Sequence, residues 1–307
     1  MNARHCLLCG APVRRPREHV LPSWFFKRHD GQGPFTVFVN GSPAPYASGA
    51  VERPQLPRLM LPVCGQESDV GLKCNDWLNT TFEQPAKTPV RTLLDDLRPL
   101  SGRGVQTFAR WAVKTLLLSA HPQAVYAEPP QRSRQPWDFP DSWLPGLRTT
   151  GEMPADLSLW MTVCDPDGSD TEGELVPHDQ IFLPHVDHPD GGGPGQATHL
   201  GFGLPNGQVV QLQLLSHPHT DICHPFEDSG LAVRLWPTPP DELDIRRVRL
   251  LGPAAGRQFT RTFVRGGTHI SLDGGQRWLT EGLVDPRVRL RLPQKSTPMA
   301  SAPADTD

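Results

Sequence analysis

The sequence predicts an α+β protein in two parts, a small cysteine-rich module in front of a larger mixed body. Three observations lead there. Cysteines come in pairs near the start, Cys6 with Cys9 and Cys64 with Cys74; apolar residues recur at helical spacing between about 75 and 121; and the second half breaks into short apolar or alternating runs separated by turns. Proline accounts for 35 of the 307 residues, about twice its usual share, so long helices are few and loops many. A chain of this length still buries about three quarters of its extended surface, enough for a substantial core.

The elements follow in order. Cys6-x-x-Cys9 leads into the turn signal Gly10-Ala11-Pro12. Val20-Leu21 reads as a strand ended by Pro22, which lacks a backbone donor. Ser23-Trp24-Phe25-Phe26-Lys27-Arg28 reads as a short helix. Residues 30–58 form an insertion rich in Gly, Pro and Ser, with a strand at 35–39, and 58–64 is a further strand running into Cys64. From Asn75 the pattern turns helical through Trp77, Leu78, Phe82, Val90, Leu93, Leu94 and Leu97, and Pro85 and Pro89 should split it into two pieces. The strongest amphipathic helix spans 104–121, with Phe108, Trp111, Ala112, Thr115, Leu116 and Leu118 three and four apart. A Pro-rich linker at 128–145 follows.

Strands are expected at 157–163, 181–183, 199–202, 208–215 and 231–236, with Pro205-Asn206-Gly207 as a hairpin turn supplying positive φ at Asn206 and Gly207. These assignments divide the chain into a module at 1–98, an α+β domain with an antiparallel sheet at 99–292, and a disordered tail at 293–307. Trp24, Trp77 and Trp111 should be core, and Cys164 and Cys223 small buried residues. His178, His185, His188, His199, His217, His219 and His224 should lie in surface loops.

Charge and apolar runs exclude several classes. No apolar run approaches the 18 residues of a membrane span, and the start MNARHCLLCG lacks a charged-then-apolar signal pattern, so neither a membrane protein nor a secreted disulfide scaffold is expected. The reading is cytoplasmic, where thiols stay reduced and closely spaced cysteines suggest zinc. The two pairs supply four thiolates, the number a closed tetrahedral site needs. A net charge of −3 gives no global reason to bind nucleic acid. Residues 1–30 nevertheless carry a local excess of four positive charges, with Arg14, Arg15, Arg17, Lys27 and Arg28 prominent, and phosphate contacts act within about 10 Å.

The chemistry centres on Glu18-His19 and on Cys74-Asn75, which opens a helix. A zinc joining the cysteines would bring the end of that strand beside the start of that helix. The carboxylate of Glu18 and the amide oxygen of Asn75 suit a hard cation such as Mg²⁺, and His19, left free of metal, suits a general base that deprotonates water. Asn75 could equally serve only as a helix N-cap.

The combination C-x-x-C, then E-H-V-L-P-x-W, then C-N-D-W-L resembles the bacterial HNH endonucleases of the His-Me finger (ββα-metal) superfamily, over roughly residues 5–90. The resemblance implies a zinc-stabilised ββα-metal module and metal-dependent hydrolysis of DNA phosphodiesters. Carried over, His19 is the general base, Glu18 and Asn75 hold the catalytic divalent metal, and Cys6, Cys9, Cys64 and Cys74 hold a structural Zn²⁺. The sequence departs from the pattern at two places. Nine residues separate Cys64 from Cys74 where two are usual, leaving His5 as an alternative ligand, and the last His of the motif has only Asp76, Asn79 and Glu83 as nearby polar candidates. DNA, duplex rather than RNA, is the expected partner, contacted by the basic residues named above. A homodimer would suit duplex cutting, and the C-terminal domain could take a ligand or protein partner. The alternative is a non-catalytic zinc-binding module on the same fold that binds nucleic acid or protein.

Overall fold

The computed structural model describes residues 4–13, 18–28, 35–36, 38–39, 42–43, 52–53, 58–65, 73–127, 130–132, 137, 140–170, 182–187, 193–217, 221–262, 264–273, 276–279 and 290–291. Most of the expected insertion and the whole of the expected tail lie outside them. The described residues form a mixed assembly of helices and largely antiparallel sheets.

Strand β1 (Arg4–His5) pairs antiparallel with β2 (Pro12–Val13) and closes the C-x-x-C into a knuckle. Gly10 turns the chain there at φ 73°, a left-handed conformation that costs glycine nothing. Strand β3 (Glu18–His19) leads through Pro22 into α1 (Ser23–Arg28), the expected helix. Strand β4 (Leu59–Leu61) pairs antiparallel with β3, setting His19 opposite Met60. The strand therefore lies at Glu18–His19, two residues ahead of the expected Val20-Leu21, which fall in a bend past its end although the Val20 N–H still reaches the Leu59 carbonyl at 2.9 Å. The run at 35–39 is two separate pairs, Phe35–Thr36 with Glu52–Arg53 and Phe38–Val39 with Ser42–Pro43.

Helix α2 (Cys74–Leu78) continues through a π-helical turn at Asn79–Glu83 into α3 (Gln84–Leu94) without a break. The expected split at the prolines does not occur. Pro85 falls in the first turn of α3, where helices tolerate proline, and Pro89 is carried inside the helix. The irregularity is instead the π turn, whose wider ring re-aims the residues that follow it.

Helix α4 (Arg103–Ala120) matches the strongest periodic segment, but it is more than a surface helix: every residue from Trp111 to Leu118 is buried. A helix hydrophobic all round belongs at the centre of a fold. Strand β5 (Val125–Ala127) extends the β3–β4 sheet and pairs with β6 (Pro130–Arg132). Helix α5 (Trp143–Thr150) starts inside the expected linker and buries Leu144 and Leu147, while Trp137 is also buried.

The main sheet is built on β7 (Leu157–Cys164), flanked by the hairpin β8 (Gln196–Gly203) and β9 (Val209–Ser216), with β9 next to β7. The hairpin turn carries positive φ at Gly207 alone, not at Asn206. Leu204-Pro205-Asn206-Gly207 closes with a 3.1 Å bond from Gly207 N–H to Leu204 O, the three-residue form of hairpin in which only the last position is left-handed. After the single turn α6 (Pro225–Asp228), β10 (Val233–Trp236) takes the other side of β7, and β11 (Leu250–Leu251) pairs with β7 in parallel. Helix α7 (Pro253–Arg261) completes this part. A second sheet joins Phe182–Asp187 in parallel with Val264–Asp273.

The side-chain period of two along β7 sorts the core into layers. Leu157, Leu159, Met161 and Val163 belong to one buried cluster, which runs from Cys6 through α4 to Ile245. Trp160 and Cys164 belong to a second, with Phe226, Ala255 and Phe259 under α7. Trp111 is fully buried, and Trp24 and Trp77 pack on the first cluster. Cys164 and Cys223 are buried as expected.

The histidines correct the surface-loop expectation. His217 and His224 are buried and His199 is half-buried on β8, while His178, His188 and His219 and the side chain of His185 lie outside the described residues. A complete hydrogen-bond network explains His224: its Nδ1 accepts from the Phe226 N–H at 3.0 Å, and its Nε2 meets Gln213 Oε1 at 2.8 Å. Gln213 in turn donates to the carbonyls of Phe259 and Thr262.

Candidate functional site

Four sulfurs converge from three separate stretches of chain. The knuckle between β1 and β2 brings Cys6 and Cys9, the end of β4 brings Cys64, and the first residue of α2 brings Cys74; their sulfurs all lie within 4.8 Å of one another. Cys9 and Cys64 approach to 3.5 Å, and the Cys64 N–H points at the Cys6 sulfur at 3.4 Å. A tetrahedron with metal–sulfur bonds of about 2.3 Å needs sulfurs roughly 3.8 Å apart, so the set fits an ion such as zinc. Cys64 and Cys74 both belong to the cluster despite the nine residues between them, of which 66–72 lie outside the described residues, and His5 is exposed and not part of it.

The electrostatics favour a cation at the centre. Burial pushes the Cys6 thiol up to about 11. Burial and the charge of Cys6 push Cys74 up further. Burial also opposes ionisation of Cys64, but bonds from the Cys74 backbone and the neighbouring thiols outweigh it and hold that thiol down. Four crowded thiols do not all ionise unless positive charge sits between them, so metal capture here releases protons.

Arg148, on α5, supplies a positive charge that the sequence did not flag. Its guanidinium is stacked 4.9 Å from the Trp77 ring, one turn beyond Cys74 on α2, and its proximity slightly favours the Cys74 thiolate against the burial that opposes it. A lone arginine in a polar-looking helix carries no sequence signal for such a role.

His19 is linked to this cluster through β4. Its strand partner is Met60, and the chain from β4 runs to Cys64, whose carbonyl accepts the Asn75 N–H at 3.0 Å. The order is thus strand, antiparallel strand, helix. Asn75 is half-buried, and its side-chain amide makes no hydrogen bond among the described residues. The side chain of Glu18 lies outside the described residues, although its backbone pairs with Leu61.

The His19 ring is half-buried and meets Phe26 edge-on at 5.8 Å. Desolvation lowers its pKa, the charge of Arg58 lowers it further, and Glu83 opposes them. Both charges therefore reach the imidazole. Arg58, exposed and 5.5 Å from the Phe26 ring, is a cation at this site that sequence reasoning missed. Of the polar residues near Asn75, Glu83 is the one whose charge acts on His19.

Of the basic residues expected on phosphate, Arg14, Arg15 and Arg17 lie outside the described residues, and Lys27 is exposed on α1. Arg28 departs from the expectation. Its guanidinium is ion-paired with Asp95 and largely buried, which ties α1 to the end of α3 and leaves little charge for a phosphate.

In comparisons with known proteins, no family model, no curated protein and no solved structure matches this chain. Among the described residues, no helix is long and apolar enough to cross a membrane.

Proposed function

We propose that the chain is a metal-dependent HNH-type endonuclease that hydrolyses DNA phosphodiester bonds. One observation carries this reading: the antiparallel pair β3–β4 is followed in the chain by α2, whose start is tied to the end of that pair by the Asn75–Cys64 backbone bond, with four cysteines gathered there. That arrangement sets Glu18 and His19 on the first strand and Asn75 at the start of the helix, the places that ββα chemistry uses. Zinc on the cysteines would be structural, because a four-thiolate site leaves no open position for substrate.

His19 accepts a proton from the attacking water. A half-buried imidazole held neutral by desolvation and by Arg58 is in the form a base requires. Glu18 and Asn75 offer the oxygen donors a hard divalent cation prefers, and the Asn75 amide is not engaged elsewhere among the described residues. Such a cation, when bound, supplies positive charge for the phosphate oxygens in the transition state. Arg58 and Lys27 are available to the DNA backbone, a contact that gives affinity without sequence preference.

The test is nicking of supercoiled plasmid with Mg²⁺, Mn²⁺, Ni²⁺ or chelator, beside His19→Ala. Cleavage that needs a divalent metal and falls by about 100-fold or more in the variant, with zinc content unchanged, is the expected result. No cleavage under any metal, or cleavage indifferent to the substitution, replaces this reading with the non-catalytic zinc-binding module.

A further inference from the structure

The most deeply buried ion pair among the described residues lies beside this site. Lys114, in the middle of α4, has a side chain with no solvent exposure, and Glu83, the last residue of the π turn, has one that is 8% exposed. The Lys114 ammonium donates to Glu83 Oε1 at 2.9 Å and to the backbone carbonyl of Val20 at 3.3 Å. Val20 directly follows His19. A buried ion pair recovers its desolvation cost only with good geometry and further bonds, and here the further bond is made to the peptide adjoining the proposed base.

A second contact between the same helix and the same strand-to-helix segment points the same way. Trp111, three residues before Lys114 and so on the same face of α4, packs its ring 6.2 Å from Trp24 and 6.0 Å from Phe25 of α1. Phe26, the next residue of α1, lies against the His19 ring. Helix α4 thus holds the backbone on both sides of the β3–α1 turn, by an ammonium on one side and by aromatic packing on the other. The π turn brings Glu83 into this arrangement, where its charge also reaches His19.

We propose that Lys114 and Glu83 are positioning residues of the His19 site, with Lys114 anchoring the backbone that carries the imidazole and Glu83 holding the ammonium in place. The inference rests on the reading of His19 as the base for its catalytic consequence, but the placement of His19 can be measured without activity. Neither Lys114 nor Glu83 touches substrate in this scheme.

The experiment uses the full-length zinc-loaded protein and the double substitution Glu83→Gln/Lys114→Met, which replaces the charged pair by a neutral one of similar size. Three quantities are read: melting temperature with zinc content, kcat and KM for plasmid nicking, and the His19 ring signals with their nuclear Overhauser contacts in proton–carbon NMR spectra, identified by their loss in His19→Gln. The expected result is a folded, zinc-loaded variant whose His19 ring loses its nuclear Overhauser contacts to the Phe26 ring and whose kcat is down at least ~10-fold with KM little changed, the signature of an interaction that serves the transition state. A merely structural pair would move the melting temperature and shift the His19 signals only through the lost Glu83 charge, keeping the contacts to Phe26, and that outcome overturns the proposal whether or not the wild type cuts DNA. If the wild type does not nick, the nuclease reading fails while the His19 contacts still decide the positioning role. Should the double variant not fold, Glu83→Gln alone, which keeps an acceptor for Lys114, is read in the same way.

Discussion

His224 shows how one residue ties stability to pH. Its Nδ1 accepts the Phe226 N–H and its Nε2–H is directed at Gln213, so the folded site suits the neutral ring and has no place for a second proton. Burial lowers its pKa from 6.5 to about 3, with the charge of Arg234 adding to the effect. A pKa lower in the folded than in the unfolded chain means that the unfolded chain binds more protons between those values. The contribution of His224 is therefore complete above about pH 6.5 and is lost as pH falls from there towards 3, at roughly 1.4 kcal/mol per unit. His217, also brought to about 3 by burial, acts in the same direction. Thermal melts between about pH 7 and pH 4 should show a falling midpoint for the wild type and a shallower fall for His224→Gln. Parallel curves would show that His224 does not carry the acid sensitivity. Nothing in Cys223-His224-Pro225 distinguishes this histidine from a loop residue, because the groups that bury it, Gln213, Trp160 and Phe259, are distant in the sequence.

At the level of elements, legibility followed periodicity. Helix α4 and the three long strands of the main sheet carry enough repeating apolar positions to be read directly. Helices α5 and α7 were missed because Pro145, Gly146 and Gly256 interrupt them and their buried residues are few. The cysteine cluster was readable from ligand type and pairing alone, whereas Lys114 looked like an interruption of an apolar run. Whether a cation in such a run is exposed or paired depends on what another helix places opposite it, 31 residues away in this case. Gly256 also has a measurable role in seating α7 on β7. A Cβ there would lie 2.4 Å from the Cys164 sulfur, far inside contact distance. Gly256→Ala should destabilise the protein by about 1–3 kcal/mol, the usual cost of overpacking, despite the helical preference for alanine, and Cys164→Ala should relieve much of that loss. A denaturant series on the two single variants and the double variant checks it; a neutral Gly256→Ala would mean that α7 shifts freely.

Across the described residues, the cysteine cluster and the central helix share one core. Cys6, Cys64 and Cys74 belong to the same buried cluster as Trp111 of α4 and Leu159 of β7, and the second cluster under α7 is joined to it through β7. Removing zinc should therefore be felt far from the cysteines. A chelator such as phenanthroline should lower the melting midpoint by several degrees, with fluorescence and far-ultraviolet circular dichroism changing together in a single transition. A separate early transition confined to the N-terminal part, with the main sheet melting at its original temperature, would show that the metal stabilises only its own surroundings.

The placement of Lys114 also bears on the order in which the protein is made. All four cysteines leave the ribosome before Lys114, which follows Glu83 by 31 residues, a delay of roughly 2–6 s at about 5–20 residues per second. During that interval a metal ion would already have all four cysteine ligands available to it, whereas Glu83 would still lack the cation it is buried with in the folded protein.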